Sequence, residues 1–123
     1  MDWNSAVERV IERLNKTGLE SPFQHSAALV DYMASRKIVP RSDLIAEAVK
    51  INSLADADLV SSILANVTVA VHGKGSVPDP GGWYFRDDTL GIYVLDRWFS
   101  AAWREARLAQ NSTETLPSTA EAG

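Results

Sequence analysis

The chain contains no cysteine. That excludes a disulfide scaffold, a cysteine-ligated zinc site and a cysteine nucleophile together. Small secreted domains commonly need crosslinks, so a cysteine-free domain of this size is expected in the cytoplasm. Histidine is nearly as scarce, with only His25 and His72. They do not form the i, i+4 pair that a helix uses to bind a metal. Ser26 beside His25 makes no catalytic triad, because a triad is defined by geometry rather than adjacency. No metal, cofactor or catalytic residue is therefore expected, and the chain does not read as an enzyme.

Long apolar runs are also missing, and a membrane helix needs about 20 such residues. The opening Met1-Asp2-Trp3-Asn4-Ser5 has neither a basic start nor an apolar segment behind it, so no signal peptide is expected. Basic charge is not in excess. Lys and Arg number 12 against 16 Asp and Glu, a net charge of −4. A typical nucleic-acid binder carries the opposite balance. An acidic chain suits a basic protein partner instead.

What is present is an ordinary globular composition, 46% apolar and 23% charged over 123 residues. One domain of this length buries roughly two-thirds of its unfolded surface without crosslinks. Trp3, Val7, Val10, Ile11 and Leu14 recur at helical spacing over residues 3–17, and Gly18 is a natural stop. Ser21-Pro22-Phe23-Gln24 reads as a capped helix start, followed by the stripe Phe23, Ala27, Val30, Met33 and Ala34. Ile38-Val39-Pro40 reads as an extended linker. A third helix carries Leu44, Ile45, Ala48 and Val49 and breaks at Asn52-Ser53. A fourth runs from about Asp56 to His72 and is apolar enough to be central.

Residues 73–82 hold four glycines and two prolines and read as a loop. Residues 83–95 read in two ways: as a short β-hairpin, which the β-favouring Ile92-Tyr93-Val94 and Gly91 support, or as the start of a helix capped by Asp87 or Asp88. The run from Asp96 to Ala109 is helical on either reading. From residue 110 the chain is rich in Ser, Thr, Glu, Pro and Ala, the composition of a disordered tail. The expected fold is mainly α: a compact bundle of about five helices in one domain over 1–109, with a disordered tail over 110–123.

Several motifs begin and then fail. Gly73-Lys74-Gly75-Ser76 lacks the earlier glycine and strand of a phosphate loop. Asp56-Ala57-Asp58 lacks the later ligand and glycine of a calcium loop, and reads as helix capping. Leu44–Lys50, the break at Asn52 and the helix after it have the length of a helix-turn-helix. Yet no Lys or Arg lies between Ile51 and Gly73, and Asp56 and Asp58 would repel phosphate. A winged-helix variant remains, with 83–95 as the wing and Arg86 on phosphate.

The sharpest feature is aromatic clustering: seven of the ten aromatic residues lie between positions 83 and 103. Such rings either fill the core or form a binding surface, where Trp, Tyr and Arg dominate the energetics. The leading expectation is a small acidic adaptor, inhibitor or regulator that binds another protein. Its surface would use Trp83, Tyr84, Trp98 and Trp103 as apolar anchors, Arg86 and Arg104 as polar ones, and Asp87 and Asp88 toward a basic partner. Self-association into a homodimer through the same rings is the simplest form of the idea. A DNA-binding regulator of helix-turn-helix or winged-helix type is the alternative.

Overall fold

The computed structural model describes residues 2–16, 22–73 and 82–122, with side chains to Gln110. The elements run α1 (Trp3–Leu14), α2 (Phe23–Arg36), β1 (Ile38–Pro40), α3 (Arg41–Ile51), α4 (Ala57–His72), β2 (Tyr84–Asp87), β3 (Ile92–Leu95) and α5 (Arg97–Ala122). The protein is mainly α, and the described residues form five helices and a small antiparallel sheet of order β1-β3-β2.

The helices α1, α4 and α5 each begin where an aspartate accepts from their first N–H groups. Asp2 opens α1 by accepting from the backbone N–H groups of Asn4 and Ser5 at 3.1 and 3.2 Å. Asp56 opens α4 by accepting from Leu59 N–H at 2.9 Å. Asp96 accepts from the N–H groups of both Trp98 and Phe99 at 2.9 Å, and so opens α5. Caps of this kind contribute about 1 kcal/mol each. The start of α2 differs from the expected capping box. Its cap position is Pro22, with no side-chain acceptor; Ser21 lies outside the described residues, as do Gly18 and Lys74.

Ile38-Val39-Pro40 is a strand rather than a linker. Val39 pairs with Tyr93, and the flanking Ile38 and Pro40 pair with Val94 and Ile92. Pro40 is tolerated because it ends an edge strand, where a missing N–H is least costly. Residues 83–95 resolve as the hairpin. Gly91 turns the chain at φ +65°, and Asp87 accepts from Leu90 N–H at 3.1 Å across the turn. Neither Asp87 nor Asp88 caps a helix.

The core forms where α1 packs between α4 and α5, with α2 bridging α3 and α5. Ala6, Val7, Val10 and Leu14 are the buried face of α1, and Val60, Ile63, Leu64, Val67 and Val71 that of α4. Two arginines lock these helices together. Arg9 donates to the carbonyls of Ala70 and Val71 in the last turn of α4, where a helix has run out of its own N–H donors. Arg13 donates to Asn66 Oδ1 at 3.0 Å. Val49, one of the apolar residues of α3, is 42% exposed, because α3 turns only Leu44 and Ala48 fully inward. The helix α5 continues in backbone to Ala122, while its described packing ends with Arg107 and Gln110. The side chains of the expected tail from residue 111 onward lie outside the described set.

Candidate functional site

The hairpin and α5 bring the aromatic residues together, and most of them meet inside. Trp103 stacks on Phe99 with ring centres 6.2 Å apart. Phe99 meets Trp83 at 5.1 Å, Trp83 meets Tyr84 at 4.5 Å, and Tyr84 meets Tyr93 at 5.6 Å. These separations suit edge-to-face and offset ring attraction. The polar ends are also satisfied internally. Trp83 Nε1 donates to Thr68 Oγ1 at 3.0 Å, and Trp103 Nε1 donates to Asp31 Oδ1 at 2.7 Å. Arg107 binds the same Asp31 carboxylate at 3.1 Å, pinning α5 to α2.

Three of the expected anchors are therefore core residues. Trp83 and Trp103 are fully buried and Tyr84 nearly so. Their rings face the helices because α5 turns its Phe99–Trp103 side toward α1 and α2. Burial, and next the neighbouring Tyr93 phenol, push the Tyr84 hydroxyl above the ordinary tyrosine value of 10.0. Arg86 and Asp88 are exposed but pair with each other at 3.0 Å, while Asp87 is half-buried and serves the turn. Arg104 is exposed on α5.

Trp98 stands apart. It is 59% exposed, one position along α5 from the buried Phe99. It lines a groove of about 590 Å³ between the N-terminal turn of α1 and the first turns of α5. Asp2, Trp3 and Asn4 line it from the start of α1, and Ala101, Ala102 and Glu105 line it with Trp98 from α5. Trp3 is half-buried, its ring edge-on to Phe99 at 5.9 Å. The Arg97 guanidinium covers part of the Trp98 ring at 4.8 Å. Hydrogen bonds from the Ser5 hydroxyl and then its backbone N–H hold the Asp2 carboxyl below its ordinary value of 3.8. Sequence reasoning placed Trp3 on the core face of its helix and passed over Asp2 and Glu105. The only signal for them was an N-terminal Asp-Trp pair, which does not reveal that α5 crosses beside it.

A second apolar surface is the outer face of the sheet. Ile38, Val94 and Phe85 stand in one register row across the three strands. Ile38 is 59% and Phe85 43% exposed.

The histidines lie away from both surfaces. His25 Nδ1 is buried and has no hydrogen-bond partner among the described residues, beside a cavity of about 10 Å³ whose other lining residues are aliphatic side chains and Asn52. That volume holds about one water molecule. His72 Nε2 accepts from Trp83 N–H at 3.1 Å, fixing the chain as it enters β2. Among the described residues no three of His, Asp and Glu gather where a metal would bind, and no helix is long and apolar enough to cross a membrane.

No family model, curated protein or solved structure matches this chain. Its fold and surfaces are the whole basis for a functional reading.

Proposed function

We propose that this chain is a small cytoplasmic binding module, an adaptor, inhibitor or regulator that acts by docking onto another protein through the groove between α1 and α5. The observation that carries the reading is Trp98, a large ring left 59% exposed at a groove. Burying an exposed aromatic of this size contributes about 2 kcal/mol or more to an association. Trp3 provides a second ring in the same groove, already braced by Phe99 and so held in place before a partner arrives. The test is affinity capture from host lysate with the intact protein, a Trp98→Ala variant and a Phe85→Ala variant, each confirmed to be folded. A near-stoichiometric protein that is lost only with Trp98→Ala supports the reading. Retention by Trp98→Ala with loss in Phe85→Ala moves the binding surface to the sheet.

One observation favours a second reading as a DNA-binding regulator. The order α2-β1-α3-α4-β2-β3, with β3 central in the sheet, is the connectivity of a winged helix. Connectivity alone does not carry function. The exposed positions of α4, Ala57, Asp58, Ser61 and Ala65, offer no basic group, and the wing's Arg86 is engaged by Asp88. Phosphate binding draws on such cations, and its salt dependence counts them. Tight, salt-sensitive binding to duplex DNA at low ionic strength would revive this reading.

A further inference from the structure

We propose that the groove between α1 and α5 receives a cationic segment of its partner, a Lys or Arg side chain lying against Trp98 between Asp2 and Glu105. The inference rests on the docking role of the groove and names the chemistry of its occupant. Three features converge on it, and a fourth that would oppose it is already neutralised. The groove has two indoles, Trp3 and Trp98, and the face of an indole attracts cations more strongly than any other side-chain ring. Among the described residues, the charged side chains lining the groove are those of Asp2 and Glu105, both acidic. Two helix N-termini lie beside it, and their positive ends would favour an anion. Both ends are already capped by carboxylates, Asp2 on α1 and Asp96 on α5. Lastly, the Trp98 ring already holds a cation from its own chain, the Arg97 guanidinium at 4.8 Å. A partner's cation would lie on the ring from the groove side or displace Arg97.

Arg97 makes the proposal sharper, because it competes for the ring that the partner needs. Removing it should strengthen binding of a cation and leave the packing of a purely apolar group unimproved. Glu105 and Asp2 should act in the opposite sense. Asp2 is replaceable without losing the helix cap, since asparagine caps as well as aspartate.

The experiment uses the intact protein with its indole N–H groups followed by NMR. The chain has four tryptophans, so four indole signals report at once. Trp83 and Trp103 are fully buried and hydrogen-bonded, and they serve as internal controls. The probes are an acetylated, amidated hexa-arginine peptide and a hexa-glutamate peptide of the same form. The expected result is saturable movement of the Trp98 and Trp3 signals with hexa-arginine, none with hexa-glutamate, and stationary Trp83 and Trp103 signals. The Asp2→Asn, Glu105→Gln pair should weaken hexa-arginine binding by about tenfold, the sum of two partly screened charge contacts. Arg97→Ala should tighten it by about threefold, one such contact released.

Equal movement with hexa-glutamate, or no movement with hexa-arginine at millimolar concentration, would overturn the proposal. So would movement of the Trp98 and Trp3 signals on simple dilution, which would make the occupant a second copy of the chain. Capture lost with Trp98→Ala but unchanged in the Asp2→Asn, Glu105→Gln pair would refute the cationic occupant alone and leave the docking site standing. Capture unaffected by Trp98→Ala would remove the docking site itself.

Discussion

Replacing Thr68 by valine tests whether the aromatic group is a satisfied core. The two side chains have nearly the same shape, so the change removes a hydroxyl and leaves little cavity. That hydroxyl has two bonds in the fold. It donates to Leu64 O at 2.9 Å and accepts from Trp83 Nε1 at 3.0 Å. The Leu64 carbonyl sits inside α4 and keeps its helical backbone donor. The Trp83 indole N–H has no such second choice, since Trp83 is 0% and Thr68 3% exposed. A buried donor left unpaired costs about 1–3 kcal/mol. The added methyl returns about 0.8 kcal/mol at most. The net expectation is a loss of about 1–2 kcal/mol. For a domain near this size that lowers Tm by roughly 4–8 °C. Thermal melting followed by circular dichroism gives the number, and NMR locates it. The Trp83 indole signal should move strongly and that of Trp103 hardly at all. A Thr68→Val variant melting within about 2 °C of the wild type would refute the reasoning, because a net loss near 1–2 kcal/mol would then be absent.

Other consequences follow from named contacts. Asp31→Ala strips the acceptor from Trp103 Nε1 and the partner from Arg107. Partial exposure of the carboxylate limits the loss to about 1–2 kcal/mol by urea unfolding, and Asp31→Asn should recover part of it through the amide oxygen. Lys37 joins α2 to β1 at φ +68°, where a side chain costs about 1–2 kcal/mol. Lys37→Gly should therefore stabilise the fold by about 0.5–1 kcal/mol after the entropy of the added glycine, and any destabilisation would contradict this. Tyr84 favours its neutral form in the fold, so its contribution is complete below the ordinary tyrosine value and is lost as pH rises through the raised one. An alkaline titration by ultraviolet absorbance should find a phenol ionising above 10.0 that disappears in Tyr84→Phe.

The helices were legible because their signals are local. The stripes on α1 and α4 repeat within one element, and Asp56 stands directly before the helix that it caps. The strand β1 was not. It has three residues including a proline, and what makes it a strand is the distant Tyr93 segment, which no local pattern reveals. The hairpin was readable only as one of two conformations, since Trp83-Tyr84-Phe85 and Ile92-Tyr93-Val94 suit either until the turn at Gly91 is known. The candidate site was the least legible part. Trp98 and Phe99 are neighbours in sequence, and a rotation of about 100° around the helix separates surface from core. Composition and periodicity see two aromatics there. Only the seating of α5 against α1 says that Phe99 and Trp103 go in and Trp98 stays out. The same seating creates the groove, so Asp2, Trp3 and Glu105 had no shared signal before the two helices met.

The most direct test of the account is the solvent contact of the four indoles, measured as paramagnetic broadening of their NMR signals by a soluble, uncharged gadolinium chelate. The account predicts strong broadening of the Trp98 signal, weaker broadening of Trp3, and none beyond background for Trp83 and Trp103. A Trp98 signal as protected as that of Trp103, or a Trp83 or Trp103 signal broadened as much as that of Trp98, would contradict it.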